Sequence, residues 1–113
     1  MKLTEPDIKI KLNGSNAKSL YDYLHELIVN SDKYLQPVTN EKLFKKIFIH
    51  NLKTTFEKVS KILFKRFYDV KEFTESLKVT DAERHTLIVL FSFYPLPLDI
   101  NFIDYELKKN LLK

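Results

Sequence analysis

The sequence predicts a mainly α-helical fold, a small helical bundle around one long central helix at about residues 40–68. Three observations predict it. Residues 40–68 contain no Gly or Pro and repeat their apolar side chains at helical spacing. A second segment, 17–28, has the same apolar period, and a capping box at 80–83 introduces a third helix. Each such helix has one apolar face, and a bundle buries those faces against one another.

The apolar stripe of the central helix changes direction partway along. Leu43 and Ile47 mark it in the first half, and Leu52 and Val59 continue it in the second half. The second part is rotated by roughly 100°, at the helical increment of about 100° per residue. We expect one continuous helix that packs on more than one side, and a kink at 50–55 is the alternative.

Two short segments predict a minimal two-stranded sheet. Residues 8–12 alternate apolar and charged side chains, which is typical of a half-buried strand. A similar order returns at 77–79, and each segment is followed by a polar capping residue, Asn13 or Thr80, and then by an apolar helix. Strands this short are not stable alone. We therefore predict that 8–12 and 77–79 pair with each other.

The boundaries of the remaining elements are predicted from helix-capping residues and from prolines that end helices. The capping box formed by Thr80 and Glu83 predicts a helix that is buried on most sides, because an apolar run follows it. Proline lacks the backbone N–H that continues a helix, so this helix should end at Pro95. The other predicted elements are a helix from about residue 17 to Asn30, a loop to Pro37, a short helix at 70–76 and a last helix at about 102–112.

Length and composition predict a single helical domain over residues 1–113. The chain is 44% apolar and 30% charged, as in folded proteins. It has no Cys, which excludes disulfides and thiolate metal sites and fits a reducing compartment. The N-terminal segment lacks the apolar core of a signal peptide, and no apolar run approaches the ~20 residues that span a bilayer. We expect a cytoplasmic protein with no membrane partner.

Catalytic, metal and nucleotide motifs are missing from the sequence. A phosphate-cradling loop needs several glycines, and Gly14 is the only one. The chain has no GxSxG motif and no cysteine nucleophile, and its three histidines have no second ligand at metal-binding spacing. We expect no catalytic residue, no cofactor and no metal. The alternative is an enzyme whose site assembles from scattered Tyr, His and Asp side chains.

The positive charge of the chain is concentrated on the central helix. Residues 41–66 contain eight basic and two acidic side chains, a net charge of +6, and the rest of the chain has a net charge of −2. Base-specific recognition usually relies on Arg, and nearly all of these bases are Lys, so any nucleic-acid binding should be independent of sequence. The candidate contacts for phosphates or an acidic partner are Lys42, Lys45, Lys46, Lys53, Lys58, Lys61, Lys65 and Arg66.

Two apolar residues of the central helix, Ile49 and Phe64, lie off its main stripe. Apolar residues on a second face indicate a helix that is covered on more than one side, so both are candidate self-association contacts. The leading hypothesis is a small non-enzymatic protein–protein interaction module that forms a homodimer. Its size and AT-rich residue usage fit an accessory protein of a phage or mobile element. Nonspecific nucleic-acid binding through the Lys-rich helix is the alternative.

Overall fold

Five α-helices and one two-stranded sheet form the fold in a computed structural model that describes residues 8–65 and 74–109. The mainly α-helical class and the minimal sheet predicted from the sequence are confirmed. The elements follow in the order β1 (Ile8–Asn13), α1 (Gly14–Val29), α2 (Ser31–Leu35), α3 (Lys42–Lys65), β2 (Thr74–Val79), α4 (Asp81–Phe93), a 3-10 turn (Leu98–Ile100) and α5 (Phe102–Lys109).

Strands β1 and β2 pair antiparallel, which confirms the predicted partnership of 8–12 with 77–79. Ile10 lies opposite Leu77 in the register, and both side chains are buried. Successive residues of a strand point to opposite faces of the sheet. The inner face therefore joins the core, and the outer face presents exposed lysines, namely Lys9, Lys11 and Lys78.

The predicted short helix at 70–76 is wrong over residues 74–76, which belong to β2. Thr74 lies opposite Asn13 and Glu75 lies opposite Leu12, so backbone pairing with β1 begins at the first residue of the strand. A distant strand thus outweighs the local helical signal, as tertiary context commonly does. Residues 70–73 of that prediction lie outside the described residues.

The units β1–α1 and β2–α4 share one local design. Asn13 and Thr80 are the N-caps of α1 and α4, and each closes a complete capping box. Each box satisfies two backbone donors at a helix start, which fixes where the strand ends and the helix begins. In both units a buried leucine, Leu20 or Leu87, lies on the helix at the same distance from the cap. Because the two strands are antiparallel, helices α1 and α4 begin at opposite ends of the sheet.

Helix α3 runs without interruption from Lys42 to Lys65, which confirms the predicted continuous central helix over these residues. Its buried positions lie on one side of its middle turns: Asn51, Leu52, Thr55 and Val59. Residues 66–68 of the predicted helix lie outside the described residues. Among the described helices, none combines the length and the apolar character that a bilayer crossing demands.

Two helical elements in the connections were not predicted. The predicted loop before Pro37 contains α2, whose Leu35 is buried in the core. The segment after α4 contains the 3-10 turn, whose Ile100 is also buried. Helix α5 is confirmed as far as Lys109, and residues 110–112 of its predicted range lie outside the described residues.

Candidate interaction surface on helix α3

Three large apolar side chains at the start of α3 are exposed to solvent. Leu43 is 66% exposed, Phe44 51% and Ile47 42%. Ile47 lies four positions after Leu43 and three after Phe44, spacings at which side chains adjoin on a helix surface, so the three form a continuous surface, which we call the α3 apolar patch. Monomeric proteins seldom expose contiguous apolar surface unless it binds something. The patch is therefore the strongest candidate for an interaction surface in the described part of the chain.

The location of the patch follows from the packing of α4 on α3. Asn51 contacts Thr86, and Lys58 contacts Glu83, so the two helices run antiparallel. In the described part of α3 the first buried residue is Asn51, and residues 42–50 are exposed or half-buried. The change of direction in the apolar stripe marks this boundary, because the first half of the stripe faces solvent and the second half faces the core.

Three of the predicted contact lysines line one side of the helix. Lys42, Lys46 and Lys53 are exposed, and their spacings of four and seven residues place them within about 40° of one another around the helix axis. We call these three residues the lysine face. Within the described ranges none of the three takes part in an ion pair or a side-chain hydrogen bond. Their charges are available to a partner.

The other predicted lysines have different surroundings. Lys45 is half-buried and donates a hydrogen bond to Gln36 Oε1 at 3.1 Å. Lys61 is exposed and lies about two turns beyond Lys53, the last residue of the lysine face. The side chain of Lys65 and the whole of Arg66 lie outside the described residues. Lys58 contacts residues inside the fold.

Lys58 forms an ion pair with a buried carboxylate. Its Nζ lies 2.7 Å from Glu83 Oε1 and 2.9 Å from the backbone oxygen of Lys78. The Glu83 side chain is 3% exposed, and that of Lys58 is 33% exposed. A lysine whose charge is balanced by a buried carboxylate contributes little to phosphate binding. This member of the predicted set therefore joins α3, β2 and α4 together.

The Lys58–Glu83 pair belongs to a larger polar seam between α3 and α4, formed by Asn51, Thr54, Lys58, Glu83 and Thr86. Asn51 Nδ2 donates to Thr86 Oγ1 at 2.8 Å, and the hydroxyl of Thr54 donates to Glu83 Oε2. Sequence reasoning missed this seam. The signal was the cluster of polar residues at 50–55, where the apolar stripe changes direction.

The pKa of Glu83 reflects two opposing effects. Burial alone would raise the pKa of this carboxyl group, because it disfavours the charged form. Hydrogen bonds from Lys58, Thr54 and the Thr80 backbone N–H favour the charged form, and together they lower the pKa below its ordinary value. Glu83 is therefore a carboxylate at neutral pH, and the seam is an ion pair rather than a neutral network.

The two predicted self-association residues lie on a different side of α3 from the apolar patch. Ile49 is half-buried and packs against the core. Phe64 is 53% exposed, and its ring lies edge-on to the ring of Tyr21, with the centroids 5.8 Å apart. Their role in self-association stays a prediction. The structure adds a second exposed apolar surface, the α3 apolar patch, whose residues belong to the main stripe of the sequence pattern.

The histidines are separated in the fold. His25 stacks on Tyr21 with ring centroids 6.1 Å apart, and His85 Nε2 lies 3.4 Å from Asp81 Oδ2. His50 is an exposed residue of α3. Over residues 8–65 and 74–109 no group of three or more His, Cys, Asp or Glu side chains could hold a metal ion.

Comparison with known proteins gave no relative. No protein-family model matches the chain, and neither a curated protein nor a solved structure matches it.

Proposed function

We propose that this protein is a non-enzymatic interaction module that self-associates through the α3 apolar patch. The observation that supports this proposal is the exposure of Leu43, Phe44 and Ile47 on adjoining turns of a helix whose opposite side is packed. A second copy offers the same surface, and a two-fold axis across the patch would pack two α3 helices against each other. Such a contact removes three large apolar side chains from water on each protomer.

The lysines beside the patch predict how self-association depends on salt concentration. Lys42, Lys45 and Lys46 interleave with the patch residues in sequence, so a two-fold contact brings like charges toward one another. Salt screens such repulsion over a Debye length of about 10 Å at 0.1 M. Self-association should therefore become stronger as salt is added, since the apolar contribution remains and the repulsion is weakened.

Phe44 and Phe64 provide a matched pair of variants for testing the proposal. Both are phenylalanines of α3, and they are 51% and 53% exposed. We expect Phe44→Ser to weaken self-association by about 30-fold, the effect of losing an aromatic anchor worth about 2 kcal/mol. Phe64→Ser should change it less than about threefold. Sedimentation equilibrium of both variants and the wild type at 50 and 500 mM NaCl measures each dissociation constant.

The outcomes separate the alternatives. A wild-type chain that stays monomeric at millimolar concentration would refute self-association and leave an acidic or apolar protein partner for the patch. Loss of the dimer in Phe64→Ser alone would move the contact to the side of α3 predicted from the sequence. A dimer that dissociates on adding salt would contradict a contact flanked by lysines.

The lysine face supports nonspecific nucleic-acid binding as the second candidate function. Neutralising three phosphates predicts a slope of about −3 when the logarithm of the association constant is plotted against the logarithm of the salt concentration. We expect the triple variant of Lys42, Lys46 and Lys53 to glutamine to abolish that dependence. Fluorescence anisotropy with a labelled duplex and a labelled single strand measures it.

The control for this test removes the same number of charges elsewhere. Lys18, Lys108 and Lys109 are exposed, and each forms an ion pair with an acidic residue of its own helix. Replacing these three with glutamine should leave any binding by the lysine face unchanged. Equal loss in both triple variants would show that net charge, and not the lysine face, attracts the nucleic acid. No binding at 20 mM salt would eliminate the candidate, because phosphate binding is strongest there.

A further inference from the structure

A cavity of about 350 Å³ lies between α1, α2 and the segment that follows α4. No residue of α3 lines it, so it is separate from the α3 apolar patch. We call it the tyrosine pocket, because half of its lining side chains are tyrosines and its single ionisable acid is a glutamate. The lining residues are Tyr23, Glu26, Leu27, Tyr34, Tyr94 and Pro95.

The three tyrosines hold one another in place through a chain of hydrogen bonds. The hydroxyl of Tyr23 donates to the backbone oxygen of Tyr94, and the hydroxyl of Tyr94 donates to the backbone oxygen of Tyr34 at 2.7 Å. The rings of Tyr34 and Tyr94 are nearly perpendicular, with centroids 5.0 Å apart. Because the rings are fixed before any ligand arrives, binding does not have to order them.

Glu26 completes this chain and adds a negative charge. Its Oε2 atom accepts hydrogen bonds from the Tyr34 hydroxyl and from Asn30 Nδ2, each at 2.9 Å. In the described part of the chain Oε1 accepts none. The hydrogen bond to Glu26 raises the pKa of Tyr34, so the tyrosine stays protonated at neutral pH.

These features favour a cation over an anion. All three tyrosine hydroxyl protons are donated to acceptors of the protein itself, so the tyrosines have no donor left for an anionic ligand. Aromatic ring faces attract cations through their quadrupole, and Glu26 reinforces that attraction. Lys33 Nζ already lies 5.2 Å from the centroid of the Tyr34 ring, so an ammonium ligand is favoured at the rings of Tyr23 and Tyr94, away from this like charge. Leu27 and Pro95 add apolar surface that suits methyl or methylene groups.

We infer that the tyrosine pocket binds an alkylammonium ion, with the positive charge over the tyrosine rings and beside Glu26. The cavity is at the small end of ligand sites, so it suits a compact head group rather than a large molecule. A free quaternary ammonium ion such as choline and the side chain of a methylated lysine share this chemistry. Neither depends on whether α3 mediates self-association.

Paired probes that differ in charge test the inference directly. Choline and 3,3-dimethylbutan-1-ol have the same shape, and the second has carbon in place of the charged nitrogen. We expect choline to bind the full-length protein about tenfold more tightly, the order of effect for a cation held against aromatic rings beside a carboxylate. A chemical-shift titration of the ¹⁵N-labelled chain measures both affinities and should perturb the amides of Tyr23, Tyr34 and Tyr94.

The second arm identifies the source of the cation. N-acetyl-trimethyllysine amide presents the same head group on a lysine side chain. If it binds more tightly than choline, the ligand of the pocket is a methylated lysine. If it binds more weakly, the ligand is a free quaternary ammonium ion. Either order supports an alkylammonium site. Equal affinity for choline and its neutral analogue, or no shift with either ammonium probe at 50 mM, would overturn it.

Glu26→Gln isolates the charge. The amide oxygen of glutamine retains an acceptor for Tyr34, so the pocket keeps its shape and should bind 3,3-dimethylbutan-1-ol as before. We expect choline affinity to fall about fivefold to tenfold, and Glu57→Gln, which removes an exposed carboxylate on α3, to leave it unchanged. Equal choline affinity in Glu26→Gln and the wild type would contradict the position of the ammonium group beside Glu26.

Discussion

Glu83→Gln is expected to lower the free energy of unfolding by about 3 kcal/mol, the low end of the cost of breaking a buried ion pair. The carboxylate accepts hydrogen bonds from Lys58, Thr54 and the Thr80 N–H, and a neutral amide can satisfy only part of that set. The ammonium group of Lys58 would lose its partner. The low end applies because the Lys58 side chain is one-third exposed and can turn toward water. Urea unfolding followed by circular dichroism measures the change.

Glu57→Gln is the matched control for this prediction. It removes the same charge from an exposed position of α3 and should change the free energy of unfolding by less than about 0.5 kcal/mol. A double-mutant cycle with Lys58→Gln measures the energy of the pair itself. Equal effects at Glu57 and Glu83 would show that the α3–α4 polar seam does not stabilise the fold.

The same pair predicts how stability changes with pH. The pKa of Glu83 is lower in the folded chain than its ordinary value of 4.5. Its contribution is therefore complete above that value and is lost as the pH falls through the lower folded pKa. The difference in unfolding free energy between wild type and Glu83→Gln should thus be constant near neutral pH and shrink below pH 4.5.

Leu20→Ala and Leu87→Ala are each expected to cost 2–5 kcal/mol, the usual range when a buried leucine is truncated. The two side chains are 1% and 2% exposed, and they occupy equivalent positions in the β1–α1 and β2–α4 units. Leu98→Ala removes the same atoms from a residue that is 87% exposed, and should cost less than about 0.5 kcal/mol. A loss below about 1 kcal/mol at Leu20 or Leu87 would contradict their place in the core.

Segments with a clear period or a capping motif could be predicted from the sequence, and segments without either could not. The alternation at 8–12 and the capping box at Thr80 each have a local cause, so no knowledge of distant residues is needed. Thr74 and Glu75 become a strand because β1 pairs with them, and nothing in their own sequence indicates it. Helix α2 has five residues and one buried side chain, too few to show a period.

The candidate sites depend on three-dimensional packing. Phe44 and Ile47 belong to the same helical apolar pattern as Leu52 and Val59, and only the packing of the other elements on α3 decides which pair is covered. The tyrosine pocket is even harder to predict from the sequence. The Tyr23 hydroxyl and the Tyr94 backbone are 71 positions apart in the chain and meet only when α1 and the segment after α4 fold together.

The sheet described here has two strands and therefore two open edges. In the described part of the chain each strand pairs on one side, and its other side presents backbone groups that a strand of another molecule could extend. Lys9 and Lys78 lie opposite each other in the register, a like-charge pair that weakens the sheet slightly. Together with Lys11 they make the outer face of the sheet positively charged. Lysines on edge strands are one of the devices by which proteins oppose the addition of a further strand.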